Sequence, residues 1–302
     1  RNVTGVQTCA LPIFTASMVG LDVATGKIKW HFQYTPNDSH DYDETGTHIL
    51  IDAKVDGKDR KIVTHAGRNG FHYTFDRLTG QFLKGAQYVK EVTWTKGLDP
   101  KTGRPVDYDP TKDVQLYNEP PGSLEHKASR RVCPDISGGN NFWPGSFSQR
   151  TRMLYIPTVE GCADVSPDHN SHVPGNFAGG SYVNRAPLTS SIVMVDPATS
   201  QPKMRKELPF PNNAGVLSTA GGVIFTALTE GTIVALDDQN LEELWRIHMG
   251  TGFNAPPMTY AVNGKQYVAI ASGLWINARA RIGRIPETRH YQNAAMIFVF
   301  GL

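Results

Sequence analysis

Along most of the chain, apolar and polar residues alternate over short stretches that are broken by Asp, Thr, Gly and Pro, and helical spacing of apolar residues is nearly absent. Alternation with a period of two puts successive side chains on opposite faces of a strand, so the pattern predicts an all-β fold. The plainest strand pairs are 48–51 with 61–65, 222–227 with 232–236, and 266–271 with 296–300. A weak repeat joins them: an apolar strand ending in Asp, a turn, and a second strand. Asp22, Thr25, Gly26 and Trp30 form one copy, and Asp76, Thr79 and Gly80 a second. Asp196 and Thr199 mark a third, Asp237 and Trp245 a fourth. In each, Asp caps the turn, Gly supplies the positive φ, and the residue eight places after the Asp packs back on its neighbour.

Copies about 40 to 55 residues apart are the signature of a β-propeller, one four-stranded blade per repeat. The interval from Asp76 to Asp196 is too long for one blade. It is expected to hold a polar, Pro-rich insertion over 98–121 and a degenerate blade whose clearest strand is 153–157. A closed propeller takes about 4 to 8 blades, so the visible copies amount to a small complete propeller or half of a larger one.

Charge narrows the partners. The 302 residues carry 30 basic and 28 acidic side chains with no run of one sign, which argues against nucleic acid or an anionic membrane surface. No apolar run approaches the ~18 residues that would predict a transmembrane segment, and 295–302 reads as a strand. A second copy of the chain, as a homodimer, is a candidate partner. Cys133 and Cys162 either pair, which implies an oxidising compartment, or remain as buried thiols. Residues 1–13 lack both a signal peptide's features and the periodicity of the rest of the chain, and resemble translated adapter sequence. They are set aside with Cys9 as a non-native leader. The propeller portion is therefore 14–302, with natural sequence expected upstream.

The densest polar cluster runs from Trp30 to Asp43, where a blade strand should enter a loop. Neighbouring carboxylates there suit a hard cation or a general base; the alternative is a solvated Asp/Ser turn. Cys-x-x-Cys-His, His-Glu-x-x-His, P-loop and Gly-x-Ser-x-Gly signatures are all missing.

Five stretches then occur in a telling order: WHFQYTPNDSHDYD, THAGRNGFHYTFDRLTG, CPDISGGNNFWPGSFSQRTRMLYIP, GVLSTAGGVIF and RHYQNAAMIFVFGL. In order and spacing they resemble the methanol/ethanol-type quinoprotein alcohol dehydrogenases, over roughly residues 15–302. The resemblance implies an eight-bladed propeller, of which this chain is about the second half. It also implies oxidation of primary alcohols with pyrroloquinoline quinone (PQQ) and a calcium or lanthanide ion, electrons passing to a cytochrome c, in the bacterial periplasm. Asp41 stands at the catalytic aspartate, which takes the alcohol's proton and neighbours the metal. Arg68 matches the arginine at the reactive face of the cofactor, and Asn141 a donor to a cofactor carboxylate. Asp43 stands where lanthanide-dependent members, and some sugar-oxidising relatives, carry an aspartate, which implies an added anionic ligand to the metal. Cys133 and Cys162 match two family cysteines at the same separation, which implies a disulfide.

There are departures. Asn213 replaces a tryptophan of the cofactor cavity, where its amide can still donate to a cofactor oxygen, and His40 replaces the usual tryptophan before the catalytic aspartate. The family's remaining metal ligands, its adjacent-cysteine ring and its tryptophan floor lie upstream, so the chain alone is expected to be inactive, with open strand edges. Two rival readings are a quinoprotein sugar or polyol dehydrogenase and a non-catalytic propeller scaffold. A scaffold has no reason to bring Asp41, Asp43, Arg68 and Asn141 together.

Overall fold

A computed structural model describes residues 15–38, 40–112, 115, 117, 130–166, 181–184, 188–273 and 294–301. All regular elements among them are strands, and no helix is long and apolar enough to cross a membrane. Two compact units divide the chain: Arg1–Asn141, Gly161–Ala186 and Ala198–Ser200 form one; Phe142–Glu160, Pro187–Pro197 and Gln201–Leu302 the other.

In chain order, β1 (Ser17–Leu21) and β2 (Ile28–Gln33) pair as a hairpin. β3 (Ile49–Val55), β4 (Lys58–Ala66), β5 (Phe71–Asp76) and β6 (Phe82–Gln87) form a four-stranded antiparallel sheet in sequence order. Next come β7 (Arg130–Val132), β8 (Ser146–Phe147), β9 (Leu154–Glu160), β10 (Ala163–Ser166) and β11 (Ser181–Asn184). β10 pairs with β7 on one side and β11 on the other. β12 (Thr189–Val195) and β13 (Pro202–Leu208) extend β8 and β9 into a second four-stranded sheet, ordered β13-β12-β9-β8. β14 (Val216–Ser218), β15 (Val223–Ala227), β16 (Thr232–Asp237) and β17 (Glu243–His248) make a third, again in sequence order. β18 (Met258–Val262), β19 (Lys265–Ala271) and β20 (Ile297–Gly301) form a three-stranded sheet. The four-stranded antiparallel sheets are propeller blades in form.

All three predicted strand pairs are present, with Leu50 opposite Val63, Phe225 opposite Ala235 and Ile270 opposite Phe298. The expected degenerate blade at 153–157 is corrected. That strand is β9, and Leu154 stands opposite Val195, so it belongs to the blade that carries Asp196. The sheet of β7, β10 and β11 interrupts this blade in sequence, which hid the pairing.

The turns form as the repeat predicts. Asp22 Oδ1 accepts from the peptide N–H groups of Ala24 (3.1 Å) and Thr25 (3.0 Å) and from the Thr25 hydroxyl (3.0 Å). Asp76 does the same with Leu78 and Thr79. A copy unseen in the sequence lies inside the predicted insertion, where Asp99 caps Lys101 and Thr102 ahead of Gly103. Asp237 caps Gln239 and Asn240, but the left-handed position there is Leu241 (φ 58°) instead of glycine. Trp30 stands opposite Gly20, and its indole covers both Gly20 and Gly80, where a Cβ would come within 2.3 and 2.6 Å of it.

The first unit's core is aromatic, with Tyr34, Tyr73 and Phe75 wholly buried. Cys133 and Cys162 form a disulfide, as the resemblance implied. The leader 1–13 with Cys9, and residues 289–293 and 302 of the last motif, lie outside the described residues.

Candidate active site

The β2–β3 loop is organised from within by Asp38, whose carboxylate accepts from the peptide N–H groups of His40 (2.8 Å) and Tyr42. Burial pushes the Asp38 carboxyl up to about 6. Tyr42 is wholly buried, donates its hydroxyl to the Pro134 carbonyl at 2.6 Å, and stacks on buried His40. Between these two inward rings Asp41 is turned outward at φ 63°, a left-handed conformation that few non-glycine residues adopt. Asp43 follows on the same outward side, so the two carboxylates are 52% and 59% exposed while their neighbours anchor the loop.

The β4–β5 turn supplies the cation. The Arg68 side chain is buried, and its stem lies against Gly138, where a Cβ would stand 2.5 Å from that of Arg68. Arg68 Nη1 donates to Asp43 Oδ1 at 2.5 Å and to the Asp43 carbonyl at 3.3 Å. Nη2 lies 3.8 Å from Asp41 Oδ2. One guanidinium therefore faces both outward carboxylates. Asn141 ties a third segment to the loop: its Oδ1 accepts from the Thr45 hydroxyl at 3.0 Å, and its Nδ2 donates to the Ser137 carbonyl at 3.0 Å.

Glu44 was not singled out in the sequence. Its side chain is wholly buried; Oε2 accepts from the Arg68 peptide N–H at 2.9 Å and is hydrogen-bonded with His65 Nε2 at 2.8 Å. Burial raises Glu44 to about 8 and lowers His65 to about 4, so near neutral pH the pair is a neutral hydrogen bond. The available signal was a histidine three places before Arg68, within a buried strand.

Asp41, Asp43, Arg68 and Asn141 are thus gathered in the first unit. Asn213 belongs to the second, on a loop that its neighbour organises: Asn212 Oδ1 accepts from the N–H groups of Ala214 and Gly215, both at 3.1 Å. Two half-exposed carboxylates are the donor type a hard cation takes. Buried Arg68 Nε has no partner among the described residues, so the guanidinium keeps one unused donor. The site's residues fit both kinds of group.

Comparison with known proteins gives an independent line. A PQQ family profile, described as glucose/ethanol/alcohol dehydrogenase β-propeller domain, matches residues 4–93 and 179–268, more than half of the chain. The quinoprotein ethanol dehydrogenase of Pseudomonas aeruginosa is 33% identical, over 86% of this chain and 42% of that protein. The 1-butanol dehydrogenase (cytochrome c) of Thauera butanivorans is 35% identical, over 92% of this chain and 40% of the relative. A solved europium-containing methanol dehydrogenase superposes with a TM-score of 0.77 at 26% identity, covering 96% of this chain and 53% of the other. The chain spans about two-fifths of the length of these curated relatives.

Proposed function

Because the chain belongs to the PQQ family of glucose/ethanol/alcohol dehydrogenase β-propellers, we propose that the full-length protein oxidises primary alcohols with pyrroloquinoline quinone and one bound metal ion. The observation that carries this reading is the meeting of Asp41 and Asp43 at the Arg68 guanidinium. That gathering weighs against a scaffold, which gains nothing from two outward carboxylates around a buried cation.

When bound, the quinone supplies the two-electron redox chemistry. The chain's own residues do the rest. Asp41, outward and half exposed, accepts the alcohol's hydroxyl proton and offers an oxygen to the metal. Asp43 offers a second carboxylate oxygen, and the extra negative charge favours a trivalent lanthanide over calcium. The europium-containing relative supports that class of ion. Arg68 stabilises negative charge on the cofactor, and its buried stem fixes where the guanidinium lies. Asn141 is the amide donor to a cofactor oxygen. The butanol-oxidising relative carries cytochrome c in its name, which supports that electron acceptor here. The Cys133–Cys162 disulfide and the bacterial relatives support a periplasmic location.

The test is alcohol-dependent dye reduction by the full-length protein loaded with quinone and either calcium or a lanthanide. D41N is expected to lose on the order of 100-fold or more in turnover, the usual contribution of a positioned base, while still folding. Turnover unchanged in D41N would overturn the assignment.

A further inference from the structure

Glu44 takes no part in the chemistry above, yet it sits between its two charged elements. In sequence it follows Asp43; in space its Oε2 accepts from the peptide N–H of Arg68 at 2.9 Å. One side chain therefore brackets the Asp43–Arg68 pair, holding the loop that bears the carboxylates and the turn that bears the cation. Its placement is tightly constrained. Oε1 has no partner among the described residues and faces Gly67, where an added Cβ would lie 3.0 Å from it. Behind Glu44 stands a column of rings. His65 Nε2 lies 2.8 Å from Oε2, His65 stacks on His48 with centroids 4.2 Å apart, and His48 Nε2 lies 3.0 Å from the hydroxyl of wholly buried Tyr34. The column connects the aromatic core to the Arg68 peptide.

We propose that Glu44 is a positioning residue: it fixes the Arg68 peptide relative to Asp41 and Asp43, so quinone affinity depends on Glu44 although Glu44 does not touch the quinone. The inference rests on the reading of Arg68 as a cofactor contact. The physical reason is leverage. The hydrogen bond lies at the backbone of Arg68 itself, and a misplacement of about 1 Å at a reacting centre can cost on the order of 100-fold in rate. A purely structural role would lower stability without tracking Arg68.

The test is the quinone dissociation constant of the full-length protein, read from ligand absorbance with calcium present and no alcohol, so that turnover plays no part. E44A is expected to weaken binding about tenfold, R68A about tenfold or more, and E44A/R68A no more than R68A alone. E44Q, which keeps an oxygen at the bridging position, is expected to stay within about twofold of wild type. If E44A does not fold, H65Q takes its place, with the same expected weakening and the same absence of further loss on R68A. Quinone binding unchanged in E44A, or a loss fully additive with that of R68A, overturns the positioning role and leaves the Arg68 reading standing. Unchanged binding in R68A itself removes both.

Discussion

His72 lies in β5, buried, and neither ring nitrogen has a partner among the described residues. Burial lowers it to about 3, so the folded chain keeps this ring neutral where the unfolded chain takes up a proton near 6.5. Its contribution to stability is therefore intact above pH 6.5 and is lost as pH falls toward 3, with a limiting slope of about 1.4 kcal/mol per pH unit. H72L in the full-length protein should show a shallower fall in urea midpoint between pH 6.5 and about 4.5 than wild type. Parallel curves would refute it. Asp41, Asp43 and Arg68 were singled out in the sequence because each stands in a motif that resembles the quinoprotein dehydrogenases. Glu44 was not. A glutamate following two aspartates reads as one more exposed acid, and its burial depends on His65 and Arg68, 21 and 24 residues away.

The Asp-capped turn is the repeated element, and its glycine meets different surroundings in different copies. Gly26 (φ 68°) has open space where a Cβ would go, whereas at Gly80 (φ 74°) a Cβ would lie 2.6 Å from the Trp30 ring. G26A is expected to cost about 1–2 kcal/mol, the left-handed penalty alone. G80A should cost clearly more, because Trp30 must also move. Urea midpoints of the two variants decide it, and equal losses would contradict the packing argument. The turns were readable because their chemistry is local: Asp caps N–H groups two and three residues on. The Asp99 copy escaped because no strand flanks it, only the single bridge of Leu98 with Pro105, and the Leu241 copy shows that the cap can act without glycine. The β9–β12 pairing escaped for another reason. It joins Leu154 to Val195 across two intervening strands, and no local pattern encodes that.

At the scale of the molecule, the alternation of apolar and polar residues was enough to give the all-β class and all three strand pairs. The family profile and the structural similarity to a methanol dehydrogenase agree on a quinoprotein propeller. The chain accounts for about two-fifths of the length of its curated relatives, and the metal and quinone site is proposed for the full-length protein. The central claim is that Asp41 and Asp43 hold the ion beside the quinone. Its most direct test is the metal and quinone content of the purified, reconstituted full-length protein, by elemental mass spectrometry and quinone absorbance, for wild type and D41A/D43A. The account predicts one ion and one quinone per wild-type chain, and loss of the ion from the double variant. A double variant that retains its ion at wild-type occupancy would contradict it.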